Sequence, residues 1–244
     1  MRFLSAPIAG ILLGILSMVG LTSPGQAELS SADKKQVETL IENFIRENPA
    51  LLRDVLTRLA QSEAEAAQQA AMELVYDDSG DPYIGADQPG LIIYEFSDYN
   101  CGYCKRVFPD LMAILEADPS LRLVVKEFPI LAESSVLAAR AAIAAQAQKK
   151  FPAFHRALMG WRGRLDGEAI NKMAREVGLD TKQLQKDMQA ERTERILNRT
   201  RQAASALDLR GTPALIIGKN IIPGAISREE ILSLINQAKA DKNS

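Results

Sequence analysis

The sequence predicts an α/β domain with a helical insertion, preceded by an N-terminal α-helical region. Three observations carry that reading. Two short β-rich runs, residues 91–96 and 121–128, flank a segment of helical periodicity. A long helical stretch, about residues 133–207, separates them from a terminal hairpin pattern. Ahead of all these, residues 30–59 carry apolar groups at three- and four-residue spacing. The chain has 244 residues, enough for one full domain with an appendage or for two small domains. An apolar share of 47% and a charged share of 25% exclude a disordered, collagen-like or polytopic membrane protein. With 29 basic and 31 acidic residues the net charge is −2, so no nucleic-acid partner is expected.

In chain order, residues 1–27 read as a secretory signal peptide. One charge, Arg2, precedes an apolar run from Ile8 to Leu21, and small residues Gly25 and Ala27 have signal-peptidase spacing. The run is short for the roughly 20 residues of a membrane-spanning helix. The expected location is therefore periplasmic. Residues 28–75 read as a helical region. Ser30 to Asp33 can start a helix, and Val37, Leu40, Ile41, Phe44 and Ile45 form its stripe. Asn48-Pro49 ends it and opens a second helix with Leu51, Leu52, Val55, Leu56 and Leu59 on one side. These stripes either pack on the following domain or mediate self-association as a homo-oligomer; the sequence supports both equally. Residues 77–82, Asp-Asp-Ser-Gly-Asp-Pro, are a dense turn signal, which places the boundary near 75 and a second domain at 76–244.

In that second domain, residues 91–96 read as a buried strand. Val107, Leu111, Ile114 and Leu115 mark a helix, and residues 121–128 a second strand. A β-α-β unit implies parallel pairing. The insertion breaks near Phe151-Pro152, Gly160, Gly167 and Gly178. Residues 214–217 and 221–222 form a hairpin around Gly218-Lys219-Asn220, which adds antiparallel pairing. Ser227 and Glu230 make a capping box that starts the last helix.

The chemistry concentrates at Cys101-Gly102-Tyr103-Cys104. Zinc sites use the same C-x-x-C spacing, but they need further ligands, and the only histidine, His155, is about fifty residues away. No metal is expected. Export favours disulfides, yet a loop this short does little to staple a fold, so the pair reads as chemical. Cys101 follows a strand and opens a helix, where unpaired N–H groups and the helix dipole stabilise a thiolate. Cys101 would be the exposed attacking sulfur and form a mixed disulfide with a substrate protein. Cys104, one turn in and more buried, would resolve it. The redox-active pair itself is then the only reactive group, and no other cofactor is expected.

The stretch from Phe96 to Lys105, Phe-Ser-Asp-Tyr-Asn-Cys-Gly-Tyr-Cys-Lys, resembles the active site of DsbA-family thioredoxin-fold proteins. Thr212-Pro213, beyond the insertion, resembles that family's cis-proline loop. The resemblance covers about residues 75–240. It implies a thioredoxin fold with a helical insertion, a cis bond before Pro213, and a loop that pairs with the substrate chain beside Gly102 and Tyr103. It also implies that Glu95, six before Cys101, is an acid beneath the site with Lys126 as its basic partner. Glu95 is then either the acceptor of the Cys104 proton or a strand-end charge paired with Lys126. His155 reads as ordinary packing. The helical insertion resembles the DsbA oxidase, whereas Gly102-Tyr103 and the threonine before the proline resemble the isomerase DsbC. The helical region ahead of such a domain resembles ScsC-type suppressors of copper sensitivity and Com1-like proteins, some of which oligomerise through those helices. The resemblance implies a disulfide isomerase or reductase for exported proteins with a membrane redox partner. A dithiol oxidase, or a copper-handling or chaperone protein holding Cu(I) through both thiolates, are the alternatives.

Overall fold

The computed structural model describes residues 30–242; the expected signal peptide, residues 1–27, lies outside the described residues. The chain divides into two units, Met1–Arg58 and Leu59–Ser244.

The first unit holds α1 (Ser31–Glu47) and the start of α2 (Pro49–Tyr76). Ser30 and Asp33 form a reciprocal capping box at the start of α1. Asn48 ends the helix, its side-chain amide donating to the Phe44 carbonyl at 2.8 Å. The apolar stripes form as helical faces but stay open: Val37, Leu40, Ile41, Phe44, Ile45, Leu51, Leu52, Val55, Leu56 and Leu59 are 45–72% exposed.

The second unit runs in the order β1 (Tyr83–Gly85), β2 (Leu91–Ser97), α3 (Gly102–Ala117), β3 (Leu121–Glu127), α4 (Glu133–Ala147), α5 (Phe151–Gly160), α6 (Gly167–Glu176), α7 (Thr181–Met188), α8 (Glu191–Ala206), β4 (Ala214–Ile217), β5 (Asn220–Pro223) and α9 (Arg228–Lys242). The sheet order is β1-β3-β2-β4-β5. β2 and β3 are parallel; β1, β4 and β5 pair antiparallel with their neighbours. The fold is thus a DsbA-like thioredoxin fold with a helical insertion. Strand β1 has no sequence counterpart in the reading above, because three residues next to a turn show no measurable alternation.

The two sheet faces bury different sets of side chains, as period-two alternation requires. Ile93, Leu123, Val125, Leu215 and Ile217 pack with α3, α9 and the insertion helices. Tyr94, Phe96, Val124 and Ile216 pack with Met72 and Val75 of α2 and with Ala203 and Ala204 of α8. The sequence places the boundary near residue 75; the compact unit instead reaches back to Leu59. The physical reason is the burial of Ala71, Met72 and Val75, which closes the second face of the sheet. At the hairpin, Gly218 has φ +58°, and a Cβ there would come within 2.9 Å of the Ala238 side chain, so glycine is required where the turn meets α9.

Candidate active site

The parallel strands β2 and β3 end side by side, and the chain leaving β2 turns into α3 at Cys101. Asp98 builds that turn. One carboxylate oxygen accepts from the Asn100 N–H (2.8 Å) and the Ser135 hydroxyl (2.7 Å). The other accepts from the Ile130 and Leu131 N–H groups (2.9 and 3.0 Å). The Asn100 amide donates to the Ser134 and Ser135 hydroxyls. The cysteine loop is therefore tied to the β3–α4 loop by a fully bonded carboxylate, which holds a rigid turn ahead of the reactive group.

Cys101 is the N-cap of α3, and its sulfur accepts from the Cys104 N–H at 3.4 Å. On its other side the thiol donates to the Thr212 carbonyl at 3.2 Å. Thr212-Pro213 is cis. Both cysteines are free thiols. The expectation of an exposed Cys101 is corrected: the residue is only 5% exposed, because the Thr212 carbonyl lies against its sulfur, and Cys104 is fully buried. The exposed members of the motif are Gly102 and Tyr103, the tyrosine at 57% with the Arg106 guanidinium 4.8 Å above its ring. Gly102 has no neighbour within 4 Å of an added Cβ, so its position faces open space.

Glu95 and Lys126 do not pair. In the register Glu95 lies opposite Val125, and Lys126 opposite Phe96. The two side chains leave opposite faces of the sheet. Lys126 Nζ bonds Asp81 Oδ2 at 2.6 Å and the Asp77 carbonyl at 3.0 Å, and Arg199 joins the same Asp81 oxygen at 3.0 Å. Both members of the Lys126–Asp81 pair are completely buried. Lys126 is thus withdrawn from the cysteine side, correcting its expected role beside Glu95.

Glu95 remains beneath the cysteines, fully buried, with neither carboxylate oxygen hydrogen-bonded. Burial pushes it up to about 7, partly offset by the nearby Ser97 hydroxyl. Burial also pushes the Cys104 thiol far up, and the Glu95 charge adds to this. An acid titrating near 7 beside a reluctant thiol is poised to take its proton. The folded state holds the Glu95 proton up to about pH 7, while an ordinary glutamate releases it near 4.5. The folded state therefore binds more protons between those values, and stability falls as pH rises through that window. Glu95→Gln should raise stability above pH 7 by about 3 kcal/mol and leave stability below pH 4 nearly unchanged. Urea unfolding at both pH values checks this.

Some of the site was not assigned a role from sequence. Tyr99 is buried, and its hydroxyl lies 2.8 Å from both Glu127 Oε1 and His155 Nδ1. His155 does pack, between the rings of Phe108 and Phe151, and burial lowers it to about 3, so it is neutral. The available signal was a polar run, Ser97-Asp98-Tyr99-Asn100, and a second acid, Glu127, in otherwise apolar strand ends. Only the register shows which of them share a face. Among the described residues no group of three or more His, Cys, Asp and Glu is arranged to hold a metal ion.

The comparisons agree with this geometry. The family described as a DSBA-like thioredoxin domain matches residues 92–236. A thioredoxin-like oxidoreductase from Silicibacter pomeroyi DSS-3 is 38% identical, with 69% of this chain and 97% of that one covered and a TM-score of 0.66. A periplasmic thioredoxin-like protein from Salmonella enterica serovar Typhimurium is 30% identical, covers 70% and 97%, and has a TM-score of 0.63. Proteus mirabilis ScsC in a transitional conformation is 29% identical and covers 88% and 99% at a TM-score of 0.65, a larger share of this chain than residues 59–244 alone supply. Among curated proteins, a Na(+)/H(+) antiporter NhaA 1 from Mycobacterium sp. (strain KMS) is 31% identical over 144 residues. That match covers 57% of this chain and only 22% of the antiporter's own length. On the match that spans both cysteines and the strands beneath them, the chain belongs to the family of DSBA-like thioredoxin domains.

Proposed function

We propose that this protein is a periplasmic thiol–disulfide oxidoreductase that isomerises or reduces disulfides in exported proteins. The observation that carries the reading is the seat of Cys101, whose sulfur lies between a helix N-terminal N–H and the Thr212 carbonyl beside Pro213. A thiolate there keeps its hydrogen bond from the Cys104 N–H and attacks a client disulfide. Cys104 then displaces the client sulfur. The client strand lies along Thr212-Pro213, with Gly102 leaving open space and Tyr103 forming an exposed wall. The redox-active Cys101/Cys104 pair is the whole chemical apparatus, and a membrane electron donor keeps it reduced.

The Gly102-Tyr103 dipeptide, as in the isomerase DsbC, supports this direction. The insertion α4–α8, as in the DsbA oxidase, supports the second reading, a dithiol oxidase. Cu(I) handling through the two thiolates is the reading from another class. The similarity to a periplasmic Salmonella protein supports export. The test is reactivation of scrambled ribonuclease by the purified protein lacking residues 1–27, in a glutathione buffer. Reactivation above the buffer rate is expected; a rate equal to buffer, from protein with a reactive Cys101, would overturn isomerisation in favour of the oxidase.

The open stripes on α1 and α2 support self-association through the N-terminal helices. Deleting residues 28–58 should leave a folded, redox-active monomer. Deleting residues 28–75 should cost about 4 kcal/mol more, because Met72 and Val75 leave the core. Light scattering and urea unfolding of the two truncations check both outcomes.

A further inference from the structure

Strand β2 ends at Ser97 and α3 starts at Gly102, so residues 98–101 belong to neither a ladder nor a helix. Side chains do most of the holding. Asp98 is buried, and its carboxylate takes four hydrogen bonds from neutral donors: the Asn100 N–H, the Ser135 hydroxyl and the Ile130 and Leu131 N–H groups. The Tyr99 hydroxyl is held between Glu127 and His155, and the Asn100 amide reaches Ser134 and Ser135. The main chain of this turn then reaches the cysteine, because the Asp98 carbonyl accepts the Cys101 N–H at 2.9 Å. That bond closes the turn at the residue that caps α3. The Cys101 sulfur must lie at once within reach of the Cys104 N–H (3.4 Å) and the Thr212 carbonyl (3.2 Å). A cysteine sulfur has one torsion between it and the main chain, so its place follows from the place of the Cys101 backbone.

We propose that Asp98 is a positioning residue for the nucleophile, and that the β3–α4 loop, acting through Asp98, sets how readily Cys101 attacks. The inference rests on the dithiol-exchange reading above. Ile130, Leu131 and Ser135 are far from Cys101 in the chain, yet each donates to the carboxylate that shapes its turn. The step they govern is the first one. The Cys101 thiolate bonds one sulfur of the client disulfide, and the other client sulfur leaves with the electron pair of the broken bond. With the turn in place, the Cys101 sulfur keeps the Cys104 N–H, which stabilises the thiolate. With the turn slack, the sulfur drifts from that N–H and the thiolate loses a charge-assisted hydrogen bond. The negative charge of a carboxylate acts with the opposite sign, since by itself it disfavours a nearby thiolate. The other charged and titratable groups around the turn are Lys105 of α3, Glu127 of β3, and the Cys104 thiol with Glu95 of β2 beneath it, with neutral His155 of α5 behind Tyr99.

The test follows alkylation of the reduced protein by iodoacetamide across pH, with the modified cysteine identified by mass spectrometry and the fold checked by circular dichroism. Cys104 is fully buried, so Cys101 is the thiol that reacts. Asp98→Asn keeps the shape of the side chain but has one acceptor oxygen, and its NH2 group meets two of the four donors. It also removes the charge. Loss of charge alone would move the alkylation profile to lower pH. Loss of position should move it to higher pH, with the rate at pH 7 about thirtyfold lower. Ser135→Ala removes one donor and no charge, and should move the profile the same way, with a rate about threefold lower. An Asp98→Asn profile that superposes on the wild type, or that moves to lower pH, would overturn the inference. So would a wild-type profile in Ser135→Ala, which decides the matter if Asp98→Asn does not fold. Wild-type Cys101 that resists alkylation up to about pH 10 would instead overturn the dithiol-exchange reading.

Discussion

Cys101→Ala should bring the reactivation of scrambled ribonuclease down to the rate of the glutathione buffer alone, a loss of roughly three orders of magnitude or more. The expectation is this large because no second group can substitute. Cys104 is fully buried, so its sulfur cannot reach a client disulfide, and burial with the Glu95 charge holds it as a thiol. Cys104→Ala should behave differently. Cys101 still attacks, but nothing displaces the client, so the mixed disulfide accumulates and is visible on a non-reducing gel. A Cys101→Ala variant that kept full activity would remove the dithiol mechanism altogether. The alanine also removes the side-chain cap of α3, worth about 1 kcal/mol. Circular dichroism therefore accompanies the assay, and a folded but inactive variant is the expected combination.

Asp81→Ala should destabilise the fold by about 3–5 kcal/mol without slowing disulfide exchange in the folded fraction. Lys126 is completely buried and depends on Asp81 for its counter-charge. Its remaining contacts are the Asp77 carbonyl and the Tyr94 ring, 5.6 Å from Nζ. Removing Asp81 also takes away the carboxylate that separates Lys126 from Arg199. Two cations then face each other in a buried site, and burial already lowers the Lys126 pKa. At about 2 kcal/mol per molar urea the midpoint should fall by about 2 M. Exchange should persist because the cluster lies on the sheet face away from the cysteines. A slowed Cys104 step in a folded Asp81→Ala protein would restore Lys126 to the site. Lys126→Met should cost less, because Arg199 still accompanies Asp81 and the apolar stem still fills the space.

Much of this was written locally. The strands at 91–96 and 121–128, the breaks in the insertion and the capping box at Ser227 depend on runs, punctuation and spacing within a few residues. Period and cap chemistry are local properties, so they could be read before any contact was known. The C-x-x-C at a strand-to-helix junction was legible for the same reason. Register was not. A shift of one residue between β2 and β3 exchanges the faces, so the pairing of Glu95 with Lys126 could not be tested before the register was known. Asp98 was legible as a residue in a motif but not as the acceptor of four hydrogen bonds, three of them from residues 130–135. His155 was legible as packing, while its bond to Tyr99 requires α5 to fold back onto the cysteine loop.

The sequence by itself determined most of the elements, their order and the reactive pair, because each depends on residues close together in the chain, and the loop that faces the pair was legible only through its resemblance to a family's cis-proline loop. Only the tertiary structure decided which charges meet. It set Lys126 against Asp81 instead of Glu95, drew the last turns of α2 into the sheet's core, and left Glu95 unpaired beneath the thiol that must lose its proton. Those outcomes follow from strand register and burial, which arise from contacts between residues dozens of positions apart.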